Sequence, residues 1–161
     1  MCPHCKKKLT LQTNKNKITC SECGLEVVMD NRYQLSGVEF KNIAEWHNWQ
    51  KEILKQEIIK DPNFELKSKV VLKHLSKNGK RCTRVAGEGE CKLTREGLLY
   101  VGTQDGANVE KFFSMEKIYR LLFGAGEDFE IYEEKELYYF EPEDLRSCVI
   151  WYMASGILKQ L

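Results

Sequence analysis

The sequence predicts an α+β protein built from three successive parts. Residues 1–37 are expected to form a cysteine-rich β-ribbon, residues 38–62 to hold a linking helix, and residues 63–161 to form an antiparallel β-barrel or sandwich closed by a C-terminal helix. Three observations predict this organisation: two Cys-x-x-Cys pairs near the N-terminus, an apolar pattern with helical spacing after them, and a series of short β-prone runs separated by turn residues.

The composition is that of a folded, water-soluble protein. Of the 161 residues 42% are hydrophobic and 30% are charged, which is ordinary for a globular domain. No apolar run approaches the roughly 18–20 residues that span a bilayer, and the first residues lack the apolar segment of a secretory signal. The seven cysteines, four in two Cys-x-x-Cys pairs and three isolated, suit a reducing compartment better than a disulfide framework, so we expect a cytoplasmic protein.

Charge is distributed unevenly along the chain. Residues 1–80 carry 15 Lys and Arg against 9 Asp and Glu, a net of +6, whereas residues 81–161 carry 10 against 15, a net of −5. The basic half could meet an anionic partner. Two solvated surfaces of opposite charge would give the same numbers, because the lysines are scattered along the chain.

The strongest motif is Cys2-x-x-Cys5 followed, after fourteen residues, by Cys20-x-x-Cys23. Zn²⁺ binds four thiolates in a tetrahedron, and a two-residue spacer lets one tight turn deliver two sulfurs. Gly24 follows the last of these cysteines and offers the backbone freedom that such turns favour. The pattern therefore predicts a zinc ribbon with one structural Zn²⁺, whose closed shell leaves no position for a catalytic water.

Three alternatives to this zinc site remain open at the level of sequence. The two pairs could be redox dithiols or free thiols, although a redox pair usually occurs singly beside a βαβ pattern. Iron could replace zinc, and His4 could compete as a ligand. Of the other cysteines, Cys82, Cys91 and Cys148 have no further ligands at metal-binding spacing, and we expect them to be small buried side chains.

Residues 41–60 are predicted to be helical. Ile43, Trp46 and Trp49 begin an apolar pattern with spacings of three and four, and Asp61-Pro62 ends it. A closing helix is expected over residues 142–160, with Pro142 in its first turn.

The stretch between these helices is predicted to be a series of strands. Residues 64–73 alternate with period two, Asn78-Gly79 is a strong hairpin signal, and Gly87-Glu88-Gly89 is interpreted as a further turn. Later turns are expected at Arg95-Glu96-Gly97, Asp105-Gly106 and Gly124–Asp128, with strands at 98–103, 109–113, 118–123, 129–133 and 137–140. Short strands at regular spacing favour a small barrel or sandwich.

No active site is predicted. The chain has no Gly-x-Ser-x-Gly elbow, no P-loop and no dinucleotide-binding glycine motif. His47 and His74 are interpreted as surface or packed side chains, and no nucleophile–base pair is evident. We therefore assign no catalytic and no cofactor-binding residue besides the four metal ligands. The aromatic run 138–140 is flanked by glutamates, which argues against nucleic-acid binding there.

Two segments resemble known families. The cysteine pairs followed by the stretch from Phe40 to Gln50, with Trp46-x-x-Trp49-Gln, resemble the C-terminal extension of bacterial 1-acyl-glycerol-3-phosphate acyltransferase-like proteins. Residues 64–161 resemble a pleckstrin-homology or GRAM-type module, through Ser114–Ile118, the 129–140 hairpin and a closing helix with Trp151. The second resemblance implies about seven strands and one C-terminal helix.

The acyltransferase resemblance implies an accessory role. The family's catalytic pattern is His-x-x-x-x-Asp, whereas His4, His47 and His74 are followed at that spacing by Leu9, Glu52 and Gly79. The resemblance therefore implies a non-catalytic module of phospholipid biosynthesis. Its partners would be an N-terminal acyltransferase domain or another protein, or anionic lipid at the inner face of the membrane.

Two other functions remain open. The basic first half also suits a zinc-ribbon module that binds nucleic acid or is associated with the transcription machinery. The acidic second half argues against this function. An enzyme in its own right would need a perturbed titratable pair in a cleft. A metal ligand at position 2 further leads us to expect that the native protein continues on the N-terminal side.

Overall fold

The computed structural model describes residues 1–75, 83–118, 121–124, 126–133 and 136–161, and these form two units. The first is Met1–Gln56 and the second is Glu57–Leu161. The predicted hairpin at Asn78-Gly79 and the residue Cys82 lie outside the described residues.

The first unit contains a four-stranded antiparallel sheet in sequence order. Its strands are β1 (Leu11–Asn14), β2 (Lys17–Cys20), β3 (Glu26–Met29) and β4 (Leu35–Ser36). The β-prone runs Lys17–Cys20 and Leu25–Met29 in the sequence predict β2 and β3, which are rich in β-branched residues, but no pattern predicts β1 or β4. Those two strands are short and mostly polar, so their backbone pairing, not their side chains, defines them.

A single long helix, α1 (Ile43–Lys60), follows the ribbon and confirms the helix predicted over residues 41–60. At its start the backbone N–H of Glu45 donates to Asn42 Oδ1 at 2.9 Å, and the carboxylate of Glu45 accepts from the N–H of Lys41 at 2.8 Å. This arrangement is close to a capping box and satisfies N–H groups that the helix cannot pair itself. The boundary between the two units falls within this helix.

The second unit contains a seven-stranded antiparallel sheet and a C-terminal helix. The order across the sheet is β8-β7-β6-β5-β11-β10-β9. The elements in chain order are β5 (Leu66–Leu75), β6 (Thr83–Leu93), β7 (Gly97–Gln104), β8 (Ala107–Ser114), β9 (Leu122–Gly124), β10 (Asp128–Glu133), β11 (Glu136–Pro142) and α2 (Cys148–Leu158).

The α+β class, the antiparallel pairing and the C-terminal helix are as predicted, but a closed barrel is wrong. Within the described residues the sheet ends on two edge strands, β8 and β9, which do not pair with each other. Period-two patterns and turn residues predict where strands lie along the chain. They carry no information on whether the first and last strands of a sheet meet.

The predicted turn at Gly87-Glu88-Gly89 is also wrong, because β6 continues through it. A Cβ on Gly89 would lie 2.4 Å from the carbonyl oxygen of Val101, and one on Gly102 would lie 2.4 Å from the carbonyl oxygen of Glu88. Gly89 and Gly102 face each other across β6 and β7. These glycines therefore permit a close approach of two strands instead of a chain reversal.

Pro142 does not begin the closing helix, as the sequence suggested. It is the last residue of β11, opposite Val70 of β5 and beyond the part of β11 that pairs with β10. A proline is tolerated there because no second neighbour requires its N–H. The helical segment starts later, with a short 3-10 turn at Leu145–Ser147 capped by Asp144, and continues as α2.

Aromatic side chains form the core between this sheet and α2. The rings of Phe129 and Trp151 stack with centroids 4.5 Å apart and planes 9° apart, and Phe129 also stacks on Phe140. Tyr100 and Phe113 are buried beside Phe140. Burial of these large rings supplies much of the apolar area that stabilises the unit.

Candidate metal centre

Two similar turns present the four cysteines in the first unit. The N–H of Lys6 donates to the carbonyl of Cys2 at 3.0 Å, and the N–H of Gly24 donates to the carbonyl of Cys20 at 3.0 Å. Lys6 and Gly24 both have positive φ, 60° and 70°. The two pairs therefore fold by the same local geometry, although only one of them has glycine at the position that favours it.

The four sulfurs converge on one point. The Sγ atoms of Cys2, Cys5, Cys20 and Cys23 all lie within 4.8 Å of one another. Cys2 Sγ is 3.6 Å from Cys23 Sγ, and Cys5 Sγ is 3.7 Å from Cys20 Sγ. A disulfide needs about 2.05 Å, so these are not disulfide distances. They match the edge of a tetrahedron, about 3.8 Å, around an ion with metal–sulfur bonds of about 2.3 Å.

Hydrogen bonds to Cys20 favour the thiolate that a metal requires. Thr10 Oγ1 lies 3.3 Å from Cys20 Sγ, and the backbone N–H groups of Cys23 and Glu22 also face this sulfur. The Thr10 contact above all, together with these two N–H groups, lowers the pKa of Cys20 to about 6. Donors to a sulfur stabilise its anionic form, so this environment favours the deprotonation of Cys20 that accompanies metal binding.

Thr10 also joins the two cysteine turns. Its Oγ1 also lies 3.3 Å from the carbonyl oxygen of Lys7, and its own carbonyl accepts from the N–H of Ser21 at 2.9 Å. Sequence reasoning missed this residue because threonine carries no motif signal. The equivalence of Lys6 and Gly24 was detectable, since both follow directly the second cysteine of a pair.

Helix α1 packs against the first cysteine turn. The indole Nε1 of Trp46 donates to the carbonyl of Met1 at 3.2 Å, and Lys6 Nζ lies 4.6 Å from the centre of the Trp49 ring. Phe40 contacts both tryptophan rings, at 6.0 and 5.5 Å between centroids. The two tryptophans of the Trp-x-x-Trp motif therefore pack beside the first cysteine turn. The first unit includes most of α1.

The remaining sequence candidates lie away from the cluster. His4 is exposed and does not belong to the group of converging sulfurs. Cys91 and Cys148 are buried, as predicted, and burial raises the pKa of each thiol, that of Cys148 to about 11. His74 is partly buried in the second unit, where its ring lies edge-on to Tyr138 at 5.1 Å.

Polar groups gather at one end of the second sheet, where β5 ends and β6 begins. His74 Nε2 and Gln104 Oε1 are buried without a hydrogen-bond partner among the described residues. Arg84 and Asp105 form an ion pair of 2.6 Å, and Lys111 Nζ lies 5.2 Å from the centre of the Tyr138 ring. Buried polar atoms without partners are uncommon in folded proteins and point to a bound group or water.

Comparison with known proteins gives one match. A family model described as a protein of unknown function (DUF2396) matches residues 1–136. The chain belongs to this family. The DUF2396 match includes all four cysteines of the cluster, α1 and the second sheet as far as the first residue of β11. A search of curated proteins found no match. Within the described part of the chain, no helix is long and apolar enough to cross a membrane.

Proposed function

We propose that this chain is a non-catalytic accessory module in which a structural zinc site stabilises the first unit and the second unit binds anionic phospholipid. The convergence of four thiolates is the observation that supports the zinc site. Four sulfurs satisfy Zn²⁺ completely, so its role there is to hold a small sheet with little core of its own.

The metal assignment has a direct test. Elemental analysis of freshly purified protein should give one zinc per chain, and Cys20→Ser should abolish it. Cys91→Ala, which removes a buried thiol outside the cluster, is the matched control and should keep the zinc. A result of one iron per chain would identify the metal as iron instead of zinc. Absence of any stoichiometric metal would contradict the proposal.

The strand order of the second unit supports a pleckstrin-homology-like module. Counting its own seven strands from one, the order across the sheet is 4-3-2-1-7-6-5, and a helix follows the seventh strand. This is the plan of seven strands and one C-terminal helix that the resemblance implies. A fold of this kind does not by itself identify a ligand.

The charge of one strand connection favours an anionic ligand. Residues 76–82, between β5 and β6, include three Lys and Arg and no Asp or Glu, whereas the second unit as a whole carries 16 Lys and Arg against 18 Asp and Glu. Clustered cations attract anionic lipid surfaces, at about 1 kcal/mol for each cation near the membrane. The unpaired polar atoms of His74 and Gln104 lie at the same end of the sheet.

Vesicle flotation tests the lipid proposal. The chain should float with vesicles of phosphatidylcholine containing phosphatidic acid and should not float with phosphatidylcholine alone. Vesicles with phosphatidylserine distinguish recognition of phosphatidic acid from a general response to negative charge. The resemblance to acyltransferase-associated extensions favours phosphatidic acid, the product of that class of enzyme, and makes the enzyme the expected partner.

Charge-reversal variants locate the contact. The triple variant Lys77→Glu, Lys80→Glu and Arg81→Glu should lose flotation. A control with the same change of net charge, Lys15→Glu, Lys51→Glu and Lys55→Glu in the first unit, should keep it. Equal flotation of both variants, or no difference between anionic and neutral vesicles, would reject the lipid proposal.

Nucleic-acid binding is the second candidate, favoured by the charge of the first unit. Residues 1–56 carry 9 Lys and Arg against 6 Asp and Glu, a net of +3. Such binding predicts an affinity for DNA or RNA that falls steeply with salt and is lost in the first-unit triple variant. Retention of nucleic-acid affinity in that variant would exclude the basic first unit as the binding surface.

A further inference from the structure

A groove crosses the face of the second sheet opposite its aromatic core. It has a volume of about 760 Å³ and is formed by β5, β6, β7, β11 and the segment before α2. Its apolar lining includes Val71, Val101, Pro142 and Leu145. Val101 is 47% exposed and Leu145 is 39% exposed, so apolar surface is open to solvent here. The volume is in the range of ordinary ligand clefts.

Carboxylates dominate the polar lining of this groove. Among the described residues, Glu88, Glu90, Glu141 and Glu143 line it together with one cation, Lys69. Glu90 pairs with Lys67 at 3.0 Å and Glu141 pairs with Lys73, both across neighbouring strands. No ion pair of Glu88 or Glu143 is found within the described part of the chain. Two carboxylates are therefore available to a ligand beside an apolar floor.

A second cavity of about 300 Å³ extends the acidic surface. It shares Glu141 and Leu145 with the groove and adds Asp128 and Glu130 of β10. Burial raises the pKa of Asp128 and of Glu130, and for Asp128 this desolvation outweighs the backbone hydrogen bond from Gly124 and the attraction of Lys73. Lys73, which also lines this cavity, is already paired with Glu141.

We infer that these two connected cavities, here called the acidic groove, bind a segment of a partner protein that carries Lys or Arg beside apolar residues. Cationic groups would pair with Glu88, Glu143 and Asp128, while apolar side chains would cover Val101 and Leu145. Charge complementarity selects this occupant over an anionic lipid, whose phosphate the carboxylates would repel. The inference is independent of the lipid proposal, because the acidic groove and the basic connection involve different residues.

Three labelled peptides test the inference by fluorescence anisotropy on the full chain. The probe is an acetylated hexapeptide Leu-Lys-Val-Arg-Leu-Lys. One comparison peptide replaces the cations by glutamate, and the other replaces the apolar residues by serine. We expect the probe to bind at least tenfold more tightly than either. Amide NMR shifts should then change around Val71, Glu88 and Val101.

Charge variants decide whether the groove is the site. The double variant Glu88→Lys and Glu143→Lys should weaken probe binding at least tenfold. Glu96→Lys with Glu116→Lys gives the same change of net charge at turns outside the groove and should leave binding within a factor of two. Equal loss in both variants, equal binding of the three peptides, or shifts confined to other strands would overturn the inference. Shifts at the groove on addition of phosphatidic acid vesicles would overturn it as well.

Discussion

Lys6 and Gly24 occupy equivalent positions in the two cysteine turns, and each donates its backbone N–H to the carbonyl of a cysteine four residues earlier at 3.0 Å. Both have positive φ. A residue with a Cβ is strained by roughly 1–2 kcal/mol in this region, and the first turn tolerates Lys6 with its ammonium over the Trp49 ring. The second turn has glycine and no such contact.

Gly24→Ala should therefore weaken metal binding. A Cβ at this position meets no atom within 4 Å, so the cost is conformational, about 1–2 kcal/mol, and it should lower zinc affinity by about tenfold. Competition with a chromophoric chelator measures this. Gly106→Ala is the control, since Gly106 also has positive φ and open space but lies in the β7–β8 turn. It should destabilise the second unit without changing zinc affinity.

Loss of the metal should act mainly on the first unit. Cys20→Ser removes one thiolate and should unfold the ribbon, since the cluster holds its turns together. The second unit has its own aromatic core and should keep most of its melting transition, measured by calorimetry with and without a chelator. A single transition that shifts as a whole on zinc loss would show that the two units fold as one.

Two glycine substitutions should change the free energy of unfolding in opposite directions. Gly102→Ala places a Cβ 2.4 Å from the Glu88 carbonyl oxygen and 2.8 Å from Tyr100 Oη, so it should destabilise the chain by about 1–3 kcal/mol. Gly156→Ala in α2 meets nothing within 4 Å and should stabilise it by up to about 1 kcal/mol. Urea denaturation measures both, and equal effects would contradict the close approach of β6 and β7.

Arg95 should stabilise the end of α1. Its guanidinium donates to the carbonyl of Ile58 and lies 3.3 Å from that of Asp61, where the helix leaves carbonyls unpaired. Arg95→Ala should lower the free energy of unfolding by about 1 kcal/mol. Arg95→Lys should restore only part of this loss, because lysine lacks the planar guanidinium that donates to several carbonyls at once. Arg84→Ala, which breaks an exposed ion pair with Asp105, should have a smaller effect on urea stability.

His74 should make the second unit less stable in mild acid. Burial lowers its pKa below the usual 6.5, although Glu136 and Asp105 nearby raise it and Arg84 and Lys111 lower it. Below about pH 6.5 the unfolded chain binds a proton that the folded chain resists, so stability falls as the pH decreases toward the lowered pKa.

In His74→Gln, the loss of stability with decreasing pH should be smaller between about pH 7 and pH 5. Urea midpoints across that range provide the measurement, with His47→Gln as the control, since His47 lies on α1 in the first unit. An identical slope for wild type and His74→Gln would show that protonation of His74 does not oppose folding.

Local patterns in the sequence were sufficient for several elements. The cysteine spacing predicted the cluster because two residues between ligands are a property of a single turn. The spacing of Trp46, Trp49 and their neighbours predicted α1, since helical periodicity depends only on residues nearby in the chain. Val70 and Leu72 are buried as the period-two pattern of β5 predicted, for the same reason.

Features that depend on distant residues were missed or misread. Gly87 and Gly89 suggested a turn, and only the position of Thr103 and Val101 on the adjacent strand explains them. Pro142 suggested a helix start, but its environment is the end of a sheet strand. Thr10 and the carboxylates of the acidic groove carry no motif at all.

By itself the sequence determined the grouping of the four cysteines, the Trp-rich helix, most of the strands and the uneven charge, because each depends on residue type and short-range spacing. Tertiary structure alone decided the strand order β8-β7-β6-β5-β11-β10-β9 and the open edges of that sheet. It also decided the packing of Trp46 beside the first cysteine turn and the position of Glu88 and Glu143 in one groove. Strand pairing and side-chain convergence arise from contacts between residues far apart in the chain, and local spacing does not encode which of them meet.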